Sequence, residues 1–144
     1  MAGHSSWSLH PQLEADTAPV GDLALCRVLA INDVTYPWLI LVPRRAAIGE
    51  IADLGDDDAA ELIAEIALAS RALKAVTGCD KLNIAAIGNV VPQLHIHTVA
   101  RWRNDPLWPH PVWGRTKPTP GDTARFNRLL TEIRTKLDLD ISAP

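Results

Sequence analysis

The chain is sparing with the residues that mark specialised protein classes. Among 144 residues there are only two cysteines, Cys26 and Cys79. Two thiols so far apart cannot build a disulfide framework, and they lack the tight spacing of a zinc knuckle. Both lie among apolar neighbours and are read as small buried side chains. Long apolar runs are missing as well. The longest unbroken one, residues 38–42, falls far short of the roughly 20 residues that cross a bilayer. The opening Met1-Ala2-Gly3-His4-Ser5-Ser6-Trp7 has neither a basic start nor an apolar signal core. The expectation is a cytoplasmic protein with no membrane partner. Positive charge is not in excess either: 14 Lys and Arg face 17 Asp and Glu, a formal net charge of −3. Nucleic-acid binders usually carry a basic stripe, so that partner class is not expected. A nucleotide substrate remains open, because one local cluster of arginines serves a few phosphates.

What is present suffices for a folded interior. The hydrophobic fraction is 47% and the mean hydropathy +0.03. A chain of this length fits one domain, read here as 1–144, with a core over 23–114 and a C-terminal helix at about 122–138. Residues 1–21, broken by Pro11, Pro19 and Gly21, read as an irregular lead-in with a weak strand at 7–9. Residues 23–31 read as a buried strand and Asn32-Asp33 as a turn. Residues 38–42 form the returning strand, which Pro43 ends because proline cannot donate to a ladder.

The clearest helix begins at Asp56, Asp57 and Asp58, where acidic side chains oppose the positive end of the helix dipole. Leu62, Ile63, Ile66, Leu73 and Val76 recur at helical spacing, and Gly78 supplies the stop. Strands at 81–87 and 94–101 flank a tight loop over 88–92. Residues 102–120 hold five prolines together with Trp102, Trp108 and Trp113 and read as an ordered loop, since large aromatics seldom lie unpacked. A last helix starts near Asp122 or Thr123, with Phe126, Leu129, Leu130, Ile133 and Leu137 on one face. The order of elements predicts an α+β domain, an antiparallel sheet of about five strands with two main helices packed on it.

The candidate chemistry lies on the strand at 94–101. Alternate strand residues share a face. Gln93, His95, His97, Val99 and Arg101 therefore line up on one side, with same-face neighbours about 7 Å apart. Leu94, Ile96, Thr98 and Ala100 point the other way, toward the core. One neutral imidazole can attack an electrophile while its neighbour orients it or donates to the leaving oxygen. Just upstream, Gly88-Asn89-Val90-Val91-Pro92 can bring backbone N–H groups close to an anion, because glycine removes the blocking side chain.

The segment 88–101 resembles the signature of the histidine-triad (HIT) family, in which histidines alternate with apolar residues after a glycine-containing loop. Ile31-Asn32-Asp33 followed by Trp38-Leu39-Ile40-Leu41-Val42-Pro43-Arg44 resembles the family's ribose-side strand pair. Trp108-Pro109 and Trp113-Gly114 resemble the tail that often follows the motif, so the similarity spans 23–114. The resemblance implies a dimeric nucleotide-phosphate hydrolase of the diadenosine polyphosphate type, cleaving a phosphoanhydride or a phosphoramidate at the α-phosphorus of a nucleotide. His95 matches the nucleophile, which attacks the α-phosphorus to form a nucleotidyl-histidine that water then hydrolyses. His97 matches the last histidine, which bonds the phosphate side and assists departure of the leaving group. Gly88 and Asn89 match positions that contact phosphate oxygens, and Asn32 or Asp33 the residue that binds ribose. Arg101, continuing the histidine face, and Trp113, closing over a base or a partner, complete the candidate substrate-binding set. The chemistry implied needs no bound metal; magnesium enters only with a polyphosphate substrate.

Several positions depart from the pattern. Gln93 stands where the first triad histidine is usual and is expected to support His95 by hydrogen bonding. Asn89 replaces a glutamine, Val90 a serine or threonine, and Thr98 is less apolar than the pattern prefers. Rival readings remain: a non-catalytic nucleotide sensor or interaction protein, a metal-binding β-rich protein with His95 and His97 as ligands, and a nucleotidyl transferase. Bland readings also stand. Asp56, Asp57 and Asp58 are helix caps, Arg44 and Arg45 a solvated strand exit, Asn83 a satisfied strand residue, and His4, His10 and His110 surface histidines.

Overall fold

The computed structural model describes residues 6–139. A short helix α1 (Pro11–Asp16) leads into strand β1 (Ala18–Asp22), and strands β2 (Cys26–Ile31) and β3 (Trp38–Pro43) form the expected hairpin. A single 3₁₀ turn (Ile51–Asp53) precedes helix α2 (Asp56–Thr77). Strands β4 (Lys81–Ala85) and β5 (Ile96–Arg101) and helix α3 (Thr123–Lys136) follow. The five strands make one sheet, ordered β1-β2-β3-β5-β4, with every neighbouring pair antiparallel. This is the α+β class that the order of elements predicts.

The lead-in differs from expectation because both of its prolines occupy tolerated positions. Pro11 opens α1, where a helix has no use for the missing N–H. The His10 ring caps the same turn, its Nδ1 accepting the Gln12 N–H at 3.0 Å. Pro19 lies in β1, which is paired only with β2 and is therefore an edge strand. The segment 7–9 forms no strand. His4, expected at the surface, lies outside the described residues.

The sheet is covered on both sides. One face packs on α2 and α3 through Val28, Ala30, Leu39, Leu41, Ile96 and Ala100, with Leu62, Leu73 and Ile133 from the helices. The other face packs Leu29, Ile40, Val42 and Val99 against Leu13 from the N-terminal segment and Val112 from the loop after β5, with Trp113 beside them. The proline- and tryptophan-rich stretch is thus a second cover layer. Helix α2 ends as expected, with Gly78 in the left-handed region (φ 66°) and its N–H bonded to the Lys74 carbonyl. Helix α3 starts at Thr123, where the Asp122 carboxylate accepts the Ala124 N–H at 2.9 Å.

Glu65 of α2, only 3% exposed, reaches the start of β2. Its two carboxylate oxygens accept the N–H groups of Leu25 (2.8 Å) and Cys26 (2.7 Å), which locks helix to sheet. Burial, with the Glu65 charge beside it, pushes the Cys26 thiol far up. Both cysteines are free and buried.

Candidate active site

β5 puts His97, Val99 and Arg101 on the face opposite the two long helices, as strand alternation predicts. His95 precedes the ladder, which opens at Ile96 opposite Leu41. The two imidazole centroids lie 5.1 Å apart at an interplanar angle of 66°. His95 is 7% exposed and lines a small cleft, about 20 Å³ in volume, with Gly88, Ala86, Ile87, Leu94, Gly49 and Glu50.

The cleft owes its shape to Gly88, whose φ of +71° side chains of L-residues rarely adopt. The backbone N–H groups of Gly88, Asn89 and Val90 have no acceptor among the described residues. Of these three residues only Gly88 borders the cleft itself. No arginine lines this cleft; the charged side chain on its rim is Glu50.

The partners of the two rings fix which nitrogens carry protons. His95 Nδ1 lies 2.7 Å from the backbone carbonyl of Gln93, and a carbonyl oxygen only accepts. The proton of the neutral ring therefore sits on Nδ1, and Nε2 keeps its lone pair. At His97 the relation is reversed. The Trp38 indole N–H, which only donates, bonds His97 Nδ1 at 3.0 Å, so the neutral ring carries its proton on Nε2. Burial, followed by the neighbouring His95 charge, lowers the His97 pKa to about 4. Trp113 stands edge-on to His97, centroids 5.6 Å apart, and to Trp38 at 6.3 Å. Its buried indole N–H has no partner among the described residues.

Of the residues singled out in the sequence, the structure brings together His95, His97, Gly88 and Trp113, with Asn89 on the adjoining turn. Gln93 needs a correction. Its side chain turns to the N-terminal segment, accepting the His10 N–H at 2.8 Å and donating to the Ser8 carbonyl at 2.9 Å. Support for His95 comes from the Gln93 main chain, a contact that any residue type there provides.

Asn32 and Asp33 also lie apart from the histidines. Asn32 Oδ1 accepts the Gly121 N–H at 3.1 Å. The Asp33 carboxylate accepts from the N–H groups of Thr35 (2.9 Å), Tyr36 (2.8 Å) and Thr119 (2.9 Å). Both residues line a different cleft, walled by Phe126 and Leu129 of α3, that neither histidine reaches.

Arg101 has the face the sequence assigns it but not the exposure that binding requires. It is 1% exposed, with Nε and Nη2 paired to Asp105 at 2.8 and 3.0 Å and Nη1 bonded to Asn83 Oδ1 at 2.9 Å. Asp105 also accepts the Tyr36 hydroxyl and the N–H groups of Trp102, Leu107 and Trp108. Burial alone would raise its carboxyl, but the Arg101 guanidinium and these donors hold it well below the usual carboxylate range. Sequence reasoning missed Asp105 and Trp38. An aspartate before a proline and a tryptophan opening an apolar strand each have an ordinary explanation.

An antiparallel α+β domain that presents alternating histidines at a glycine-turned cleft has the architecture of histidine-triad proteins. The HIT domain model matches residues 12–104, and the chain belongs to the HIT family. It is similar in structure to a histidine triad protein from Bradyrhizobium japonicum (TM-score 0.88, 51% identity, covering 92% of this chain and 98% of that one). A HIT protein from Sinorhizobium meliloti gives TM-score 0.88 and 42% identity over 93% of this chain and 99% of its own. One from Marinobacter aquaeolei gives 0.88 and 40% over 93% and 98%. No curated protein matches the chain. Among the described residues no helix is long and apolar enough to cross a membrane, and no group of three His, Cys, Asp or Glu side chains is placed to hold a metal ion.

Proposed function

We propose that the protein is a nucleotide-phosphate hydrolase, acting at the α-phosphorus of a dinucleoside-polyphosphate-like substrate through a nucleotidyl-His95 intermediate. One observation carries the reading. The Gln93 carbonyl holds the His95 Nδ1 proton, so Nε2 presents its lone pair at a cleft bordered by the glycine turn. The Gly88 N–H at the cleft beside His95 supplies a donor for a phosphate oxygen, and His97 adds an Nε2–H donor. His95 attacks phosphorus, the bond to the leaving group breaks, and water then cleaves the phosphorus–nitrogen bond. No resident metal is needed for these steps, and magnesium would arrive with a polyphosphate. We place the reaction in the cytoplasm.

The reading includes a homodimer. β4 is one of the two edges of the sheet, and Ile84, Ile87 and Val90 expose apolar surface along it and just beyond (48%, 43% and 89% exposed). Sedimentation of the wild type and Ile84→Lys tests this, the variant being expected to run as the smaller species.

The deciding experiment for function mixes the protein with diadenosine tetraphosphate and follows products and intact mass after a rapid alkaline quench, which preserves a phosphorus–nitrogen bond. A nucleotidyl adduct, absent in His95→Ala, supports the hydrolase. Nucleotide binding with neither adduct nor turnover identifies a sensor instead, and metal-dependent retention of nucleotide identifies a metal protein.

A further inference from the structure

His95 and His97 stand side by side with opposite hydrogen-bond partners behind them: an acceptor-only carbonyl for one and a donor-only indole for the other. A second proton on His97 would have to sit on Nδ1, directed at the Trp38 indole proton. The indole nitrogen has no free lone pair to receive it. The groups packed against His97 are Trp38 and its ladder partner Ile40 from β3, Ala85 from β4, Trp113 from the loop after β5, and His95 from its own segment. Of these only His95 titrates.

Resting on His95 as nucleophile, we propose that Trp38 is a positioning residue that holds His97 as a neutral Nε2–H donor, and that this selects leaving groups departing as anions over those departing as amines. A neutral imidazole lends its N–H to an oxygen, but surrendering that proton would leave an imidazolate. A phosphate leaving group needs no proton. His95 Nε2 bonds phosphorus, the P–O bond breaks, and the electron pair departs on the oxygen, whose charge the His97 N–H shares. Water then attacks phosphorus, the P–N bond to His95 breaks with its pair returning to Nε2, and the proton of the water passes to solvent. An amine leaving group must gain a proton as its P–N bond breaks, and His97 held in this way has none to give. Burial, and after it the neighbouring His95, independently favour the same neutral ring.

The test has a spectroscopic arm and a kinetic one. In protein carrying ¹⁵N-histidine at pH 7, His97 should show a protonated Nε2 and His95 a protonated Nδ1. Trp38→Phe should release the His97 tautomer and leave that of His95 unchanged. Kinetically, the wild type should prefer diadenosine tetraphosphate to adenosine 5′-phosphoramidate in kcat/KM. That preference should shrink by about tenfold or more in Trp38→Phe at pH 6 and return in Trp38→His, whose ring can again offer an N–H. A protonated Nδ1 on His97 in the wild type overturns the proposal, and so does an unchanged tautomer or preference in Trp38→Phe. If the wild type turns over neither substrate, the hydrolase reading and the selectivity fail together. The nitrogen spectra then still decide whether Trp38 governs His97.

Discussion

The two ends of the β5 face offer a controlled comparison within one strand. At one end Arg101 is closed in: its guanidinium is held by Asp105 and Asn83, and its plane stacks near Tyr36 and Trp108. At the other end His95 and His97 each spend one ring nitrogen on a protein partner, and the second has no hydrogen bond among the described residues. Alternation gives His97 and Arg101 the same side of the sheet, and His95, one residue before β5, sits with its ring beside that of His97. The loops decide their roles. The loop after β5 folds back and saturates Arg101, whereas the glycine turn before β5 opens a cleft beside His95. A shared face is therefore a necessary condition for a common site and not a sufficient one.

The comparison breaks most directly at the open end. His95→Ala should lower turnover of diadenosine tetraphosphate at least about a thousandfold, equivalent to roughly 4 kcal/mol, with little change in thermal stability. Steady-state kinetics and calorimetry on the same preparation separate the two effects. At the closed end the outcome should reverse. Asp105→Ala leaves a buried guanidinium unpaired and should cost about 3–5 kcal/mol in urea unfolding, with kcat per folded molecule nearly unchanged.

Next in size is a pH effect centred on His97. Its folded pKa is about 4 against an ordinary 6.5, so between these values the unfolded chain binds more protons than the folded one. Stability contributed by the neutral ring is fully present above pH 6.5 and is lost as pH falls through about 4. The loss should be on the order of 2 kcal/mol, and denaturation at pH 4.5 and 7 should show a slope that His97→Gln flattens. The smallest effect belongs to Gln93→Ala. It should cost about 1 kcal/mol through its lost bonds to Ser8 and His10, speed amide exchange at His10, and leave kcat within a few-fold of the wild type. A large fall in kcat would restore the amide to the role its triad position suggests.

Legibility from sequence followed the range of the forces involved. Local devices were plain: the apolar stripe of α2 (except Ile63, which is 61% exposed), its left-handed Gly78 stop, the Asp122 cap and the β2–β3 hairpin all act within a few residues. The inward and outward sides of β5 were plain for the same reason. Pro11 and Pro19 misled because a proline breaks a helix interior or a central strand, whereas here one opens a helix and the other lies on an edge. Gln93 misled because β5 begins three residues later, so strand alternation does not govern its side chain. Asn32 and Asp33 have the spacing of a ribose pair, but their oxygens hold the segment around Thr119 and Gly121, a contact across 86 to 89 residues. The Trp38 bond to His97 spans 59 residues. No local pattern encodes such pairings.

The carboxylate of Glu65 has an effect at its far end that bears on handling. Together with the burial that contributes most, it keeps the Cys26 sulfur in the thiol form, and the thiolate is the species that oxidants and alkylating agents attack. With Cys79 also enclosed, a cysteine introduced on the surface would be the one that reacts. A single reporter dye could thus be attached beside the cleft without first removing the native sulfurs.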